Sequence, residues 1–286
     1  MITYTLPDFT QGLGLNLFFC RLLAMQPEVC RPQVQVGSIY GCFPSCALNG
    51  GRTLVRNKYS ASHIERTYEI LDEYGLCARL TLTNEFATQQ DFKDPYVQEI
   101  LTRGAAHGAQ AIVYSDFVRD YVRSAFGMKT VLSTTRAITD VAAFNQACCE
   151  NDYVVLDYSV HKDDAFLSAI EHPEKAEVMV NEFCVAGCPL RAEHYRHNSL
   201  DQQNNAVTSF TCPHKKADFF AHEPGHPVIF TAEEVQALSE RYGITNFKIV
   251  GRGVPFETVL EALTYYLVKP EYHAEVKATV LAQVKK

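Results

Sequence analysis

The chain of 286 residues contains no apolar run of the roughly 18–20 residues that a membrane span needs. Its first ten residues carry Asp8 and lack both a basic start and a long apolar stretch, so no signal peptide is expected. Positive charge is in short supply. The 26 Lys and Arg stand against 33 Asp and Glu and leave a net charge of −7. Nucleic acid is therefore disfavoured as a partner, although a local basic patch is not excluded. No Gly-x-Ser-x-Gly elbow and no phosphate-loop motif occur, and Gly251-Arg252-Gly253 is too short for a dinucleotide fingerprint. There is no compact Cys-x-x-Cys pair either.

What the chain does hold is ten cysteines. Disulfide-built secreted domains are short and seldom this large, so reduced thiols in a cytoplasm are the expected state. Cys148 and Cys149 fall inside a helical pattern and read as small buried hydrophobes, as do Cys20, Cys30 and Cys77. Cys184, Cys188 and Cys212 are different. They occur in Glu182-Phe183-Cys184-Val185-Ala186-Gly187-Cys188-Pro189 and Thr211-Cys212-Pro213, after an apolar run at 177–180 that reads as a strand. Thiolates gathered beyond a strand form a soft ligand set for an iron–sulfur cluster, with zinc as the alternative. His214 is a candidate fourth ligand in the zinc case.

The rest of the chain reads as strand–helix units. Strands are predicted at 34–40, 77–82, 111–114, 130–133, 153–156, 177–180, 228–230 and 247–250. Helices are predicted at 60–74, 95–107, 117–126, 140–149, 163–170 and 256–267, with a capping box at Thr231-Ala232-Glu233-Glu234 opening another. Eight strands alternating with helices predict an α/β fold, a (β/α)8 barrel of the TIM type. Nearly half the residues (47%) are hydrophobic, enough for one large core. The expected division is an N-terminal extension at 1–33, the barrel at 34–270 with a cysteine-bearing loop at 182–226, and a C-terminal tail at 271–286.

Active-site residues of such barrels lie at the C-terminal ends of the strands. That rule places Cys42 and Cys46 on the same rim as Cys184 and Cys188, and the two compete to be a fourth thiolate beside Cys212. Glu85, Asp157 and Glu182 are the candidate catalytic carboxylates, able to move protons if burial raises their pKa. Arg52, Arg252 and Asn84 are the candidate substrate-binding residues; a guanidinium fork suits an anionic substrate. His222-Glu223-Pro224-Gly225-His226 has the letters of a zinc-protease motif, but Pro224 and Gly225 break the helix it requires, and a surface turn is expected.

Several stretches together carry a resemblance. They are Gly108-Ala109-Gln110-Ala111-Ile112-Val113-Tyr114-Ser115-Asp116, Thr130-Val131-Leu132-Ser133-Thr134-Thr135, Val178-Met179-Val180-Asn181 and Phe247-Lys248-Ile249-Val250-Gly251-Arg252. The pattern resembles the collagenase-like peptidase superfamily (unassigned peptidase family thirty-two), which includes UbiU- and UbiV-type iron–sulfur proteins. The resemblance implies a barrel-like fold, a [4Fe-4S] cluster on four cysteines, oxygen-independent hydroxylation of an organic substrate, and often a paralogous partner protein. By position, Cys184 and Cys188 match the family's cysteines after this strand, Cys212 a later one, and Cys42 or Cys46 an early one. The course of Gly187-Cys188-Pro189-Leu190-Arg191 is shorter than the family's peptidase signature, which weakens the implication of proteolysis.

Overall fold

The structure is a computed structural model that describes residues 1–213 and 224–284. Eight strands close into one parallel barrel in chain order: β1 (Ile2–Pro7), β2 (Val34–Gly41), β3 (Cys77–Leu82), β4 (Gln110–Val113), β5 (Thr130–Leu132), β6 (Tyr153–Val155), β7 (Ala176–Met179) and β8 (Asn246–Lys248). Pairing of β1 with β8, Thr3 opposite Asn246 and Thr5 opposite Lys248, shuts the ring. The helices outside are α1 (Leu13–Met25), α2 (Ala61–Glu73), α3 (Pro95–Ala106), α4 (Asp116–Phe126), α5 (Val141–Glu150), α6 (Asp164–Ser168), α7 (Arg191–Gln203), α8 (Ala232–Tyr242), α9 (Phe256–Leu267) and α10 (His273–Val284). No helix among the described residues is long and apolar enough to cross a membrane.

Helix starts follow from side chains that satisfy orphan backbone donors. Ser60, Asp94, Ser115 and Asp140 each accept from an amide of the first turn they open. Thr231 and Glu234 complete the expected capping box at the head of α8.

The barrel has eight strands, but not the eight predicted. Ile2–Pro7, inside the stretch expected to be an extension, is the first strand, and α1 follows it. Apolar Ile2, Tyr4 and Leu6 pack into the outer core while Thr5 turns inward, so the segment carries the alternation of a strand. Residues 228–230, expected as a strand, instead cross the top of β7 antiparallel through a single bridge, Asn181 to Ile229. The hydroxyl of Tyr266 clips both segments, donating to the Val180 and Phe230 carbonyls at 2.9 and 2.8 Å. In the stretch expected as a C-terminal tail, His273–Val284 form α10, which buries Val276 and Val280 in the main core.

Two apolar clusters result. The larger lies between the outer face of the sheet and the helices. The smaller fills the barrel interior with Tyr40, Ile112, Val131, Val155 and Met179. Beside it sits a polar cluster. Arg79 forms an ion pair with Glu177, and Thr5 donates to the same Glu177 oxygen at 2.7 Å. Arg79 also donates to Thr5 and to Gln110, and its guanidinium lies over the Tyr153 ring. Burial alone would raise the Glu177 pKa, yet Arg79 and Lys248 beside it hold the carboxyl below its ordinary value.

A buried pair broken on one side leaves an uncompensated charge. Glu177→Gln is expected to lower stability by about 3–5 kcal/mol in chemical denaturation. The double variant Arg79→Met/Glu177→Leu, which removes both charges, should recover much of that loss.

Candidate active site at the barrel mouth

Helix α7 roofs the C-terminal end of the barrel, and its inward face is polar. Asn198, Ser199, Asp201 and Gln202 are its buried residues. Asn198 donates to the Gly51 carbonyl at 2.9 Å. Gln202 accepts from the Leu54 amide at 2.7 Å and from the Asn49 side chain at 3.0 Å. Gln203 donates to the Phe86 carbonyl at 2.8 Å. Each amide satisfies a loop backbone that the roof would otherwise strip of water.

Beneath the roof, the loop after β2 lies hard against the end of β3. A side chain at Gly50 would put its Cβ 2.4 Å from the Thr83 carbonyl oxygen, so only glycine fits. The close approach carries Arg52 over the barrel mouth. Arg252, buried, reaches in from the end of β8 and donates to Thr81, to Asn49 at 3.2 Å and to the Gly50 carbonyl at 3.1 Å. The chamber so formed is partly open to solvent. Tyr40, Thr81, Thr83, Ile112, Ser133, Thr134, Thr135, Met179, Glu182, Lys248 and Val250 line it with Arg52 and Arg252.

A second pocket adjoins it and holds Cys184, Cys188 and Cys212 in its wall. Arg52, Glu182 and Tyr195 line both spaces, so the two are neighbours across one shared wall. The Cys184 and Cys188 thiols lie within hydrogen-bonding reach, and burial pushes the Cys184 thiol up. The Tyr158 hydroxyl is buried beside Cys184 and has no conventional hydrogen-bond partner among the described residues. Glu182 braces the start of this cysteine loop by accepting from the Phe183 and Cys184 amides at 2.7 and 3.1 Å. Asp157 forms an ion pair with Arg191 and accepts from the Ser159 amide and hydroxyl. Arg191 donates to the Thr134 carbonyl at 2.9 Å and lies 4.1 Å over the Tyr158 ring. It thereby ties the first turn of α7 to the ends of β5 and β6.

The other expected site residues fall elsewhere. Cys42 and Cys46 are fully buried, hydrogen-bonded to each other, and part of the main core with Phe43, not of the thiol pocket. Asn84 is fully buried and gives its amide hydrogens to the Asn49 and Ser199 carbonyls. Glu85 sits below α7, 3.9 Å from Arg196, with burial raising its pKa. His214, and His222 with Glu223, lie outside the described residues; Pro224 and Gly225 form a turn. Among the described residues no three His, Cys, Asp or Glu side chains meet at a single point.

Lys248 and Tyr158 were not singled out from the sequence. A parity argument would have found the lysine: Phe247 and Ile249 are core residues, so the residue between them must point into the barrel. Arg191 lies in a basic run with His194, Arg196 and His197, yet its side chain is only 12% exposed and is paired with Asp157.

No protein-family model and no curated protein sequence matches the chain. Among solved structures, that of the U32 peptidase Mk0906 is similar, with a TM-score of 0.56 over 89% of this chain and 94% of that one, at 14% identity. At that identity the likeness establishes a shared fold.

The crowded Gly50 supplies a test. Gly50→Ala should cost about 1–3 kcal/mol through overpacking and increase proteolytic cleavage between residues 49 and 54. Gly14→Ala in α1, with open space around it, should cost nothing in the same denaturation measurement.

Proposed function

We propose that this protein is a cluster-dependent oxidoreductase of the collagenase-like peptidase superfamily, holding an iron–sulfur cluster in the thiol pocket and acting on a small organic molecule in the adjoining chamber. The observation that carries the reading is the shared wall: three thiols face one side of Arg52, Glu182 and Tyr195, and a polar chamber lies on the other. The donor set suits the group. Cys184, Cys188 and Cys212 would be its thiolate ligands, and soft thiolates select iron–sulfur clusters over hard cations. The unpartnered Tyr158 hydroxyl is a donor placed beside Cys184, of the kind that tunes a cluster's potential through its sulfurs. Arg52 and Arg191, both lining the pocket, offset thiolate charge. When bound, such a cluster supplies one-electron chemistry.

The residues of the chain do the rest. Arg52 orients the substrate across the shared wall, and Arg252, fixed by Thr81, Asn49 and Gly50, holds it from below. Glu182 has one oxygen tied to the backbone and a second free to take or return a proton at the substrate. The roof α7 narrows the access of water to the chamber. In this reading the reaction is oxygen-independent hydroxylation or a related redox conversion. Peptide hydrolysis is the second reading, and the named activity of the fold neighbour favours it.

Anaerobically purified protein should contain iron and acid-labile sulfide and absorb visible light. Cys184→Ser, Cys188→Ser and Cys212→Ser should each lose most of the iron, whereas Cys42→Ser and Cys46→Ser should retain it. Colourless wild-type protein without iron would refute the reading. Peptide cleavage that survives removal of iron would favour the hydrolase.

A further inference from the structure

The barrel mouth has an excess of positive charge that the assigned roles leave unexplained. The charged residues lining it are Arg52, Lys248 and Arg252 against Glu182 alone. Glu182 spends one oxygen on two backbone amides. The other nearby carboxylate, Glu177, gives one oxygen to Arg79 and Thr5, and its second oxygen is buried without a hydrogen-bond partner in the field of Lys248. Two carboxylates thus stand against four cations, Arg52, Arg79, Lys248 and Arg252. Lys248 occupies an inward position of β8, is only 7% exposed, and its ammonium makes no hydrogen bond or close ion pair with any described residue. Its Nζ rests 4.2 Å over the Tyr40 ring. A ring face stabilises an ammonium only modestly. Buried cations in excess of the carboxylates around them are costly, and a fold keeps such an excess where something else brings the negative charge.

We infer that the chamber binds a small organic acid bearing two negative charges, a dicarboxylate or a phosphate monoester, and that Lys248 selects for that charge. Lys248 and Arg252 form the contacts from below, and Arg52 the lid edge. Thr83 and Ser133 add neutral donors suited to carboxylate or phosphate oxygens. Arg252 is already fixed by three acceptors, so it needs no reordering on binding. The inference names the substrate class for the chamber proposed above and rests on that reading only for the chamber's being the substrate site; binding itself needs no cluster.

The test is calorimetric titration of the full chain with malonate, with inorganic phosphate, and with malonamide, which matches malonate in shape without its charge. Malonate, phosphate or both should bind, and malonamide should not. Malonate alone would assign a carboxylate, and phosphate alone a phosphate ester. Lys248→Met should weaken anion binding roughly tenfold or more, and Lys248→Arg should restore part of it. Wild-type protein should bind malonate equally before and after any bound iron is removed with a chelator, which separates this result from loss of a cluster. Should Lys248→Met not fold, the wild type alone decides through pH. Burial lowers the Lys248 amine to about 8, with Glu177 and Glu182 opposing that shift and Arg79 and Arg252 reinforcing it. Malonate does not change charge in that range, so its affinity should fall as pH rises through about 8 and the ammonium is lost. Failure of both anions to bind at millimolar concentration, equal binding by Lys248→Met, or malonate affinity unchanged from pH 7 to 9 would overturn the inference.

Discussion

Everything at the candidate site depends on one closure, the parallel pairing of β1 with β8. A ring of eight strands has a single rim at its C-terminal end. Residues separated by two hundred positions, such as Asn49 and Arg252, can then share a hydrogen bond. Without that seam the loops after β2, β3, β7 and β8 would fan out along an open sheet edge. With it, they converge on a space lined by three cations and a row of hydroxyls.

The barrel interior explains how such a charged rim is tolerated. The Arg79–Glu177 pair settles its own charge among hydroxyl and amide partners, while Tyr40, Ile112, Val131, Val155 and Met179 pack the remaining interior. Only the groups at the rim keep unspent charge. The thiols divide the same way. Cys42 and Cys46 answer each other inside the core, and Cys184, Cys188 and Cys212 face a cavity. Both sets follow a strand in the sequence, yet only one turns toward open space.

Much of this was legible beforehand. The alternation of short β-branched runs with capped amphipathic helices was sufficient for a barrel, because period and capping are local properties. Seven of the eight strands, β2 to β8, followed from it. What failed was membership at the seam: Ile2–Pro7 has no helix before it to frame it, while residues 228–230 have strand composition but only one bridge to pair with. The rim rule brought Arg52, Arg252, Asp157 and Glu182 to the mouth. It could not separate Cys42 and Cys46 from the other thiols, since strand-end position does not tell whether a loop side chain turns into the core. Nor could it find α7, whose buried residues are Asn, Ser, Asp and Gln and leave no hydrophobic stripe to read.

That polar underside has a thermodynamic implication. A lid seated on hydrocarbon pays to leave, because lifting it wets oily surface. The helix over this barrel is fastened by side-chain amides to peptide groups, and water can replace each of those partners almost in kind. Displacing it would trade one set of hydrogen bonds for another, so passage between solvent and the interior can be gated by a segment whose detachment carries little hydrophobic penalty.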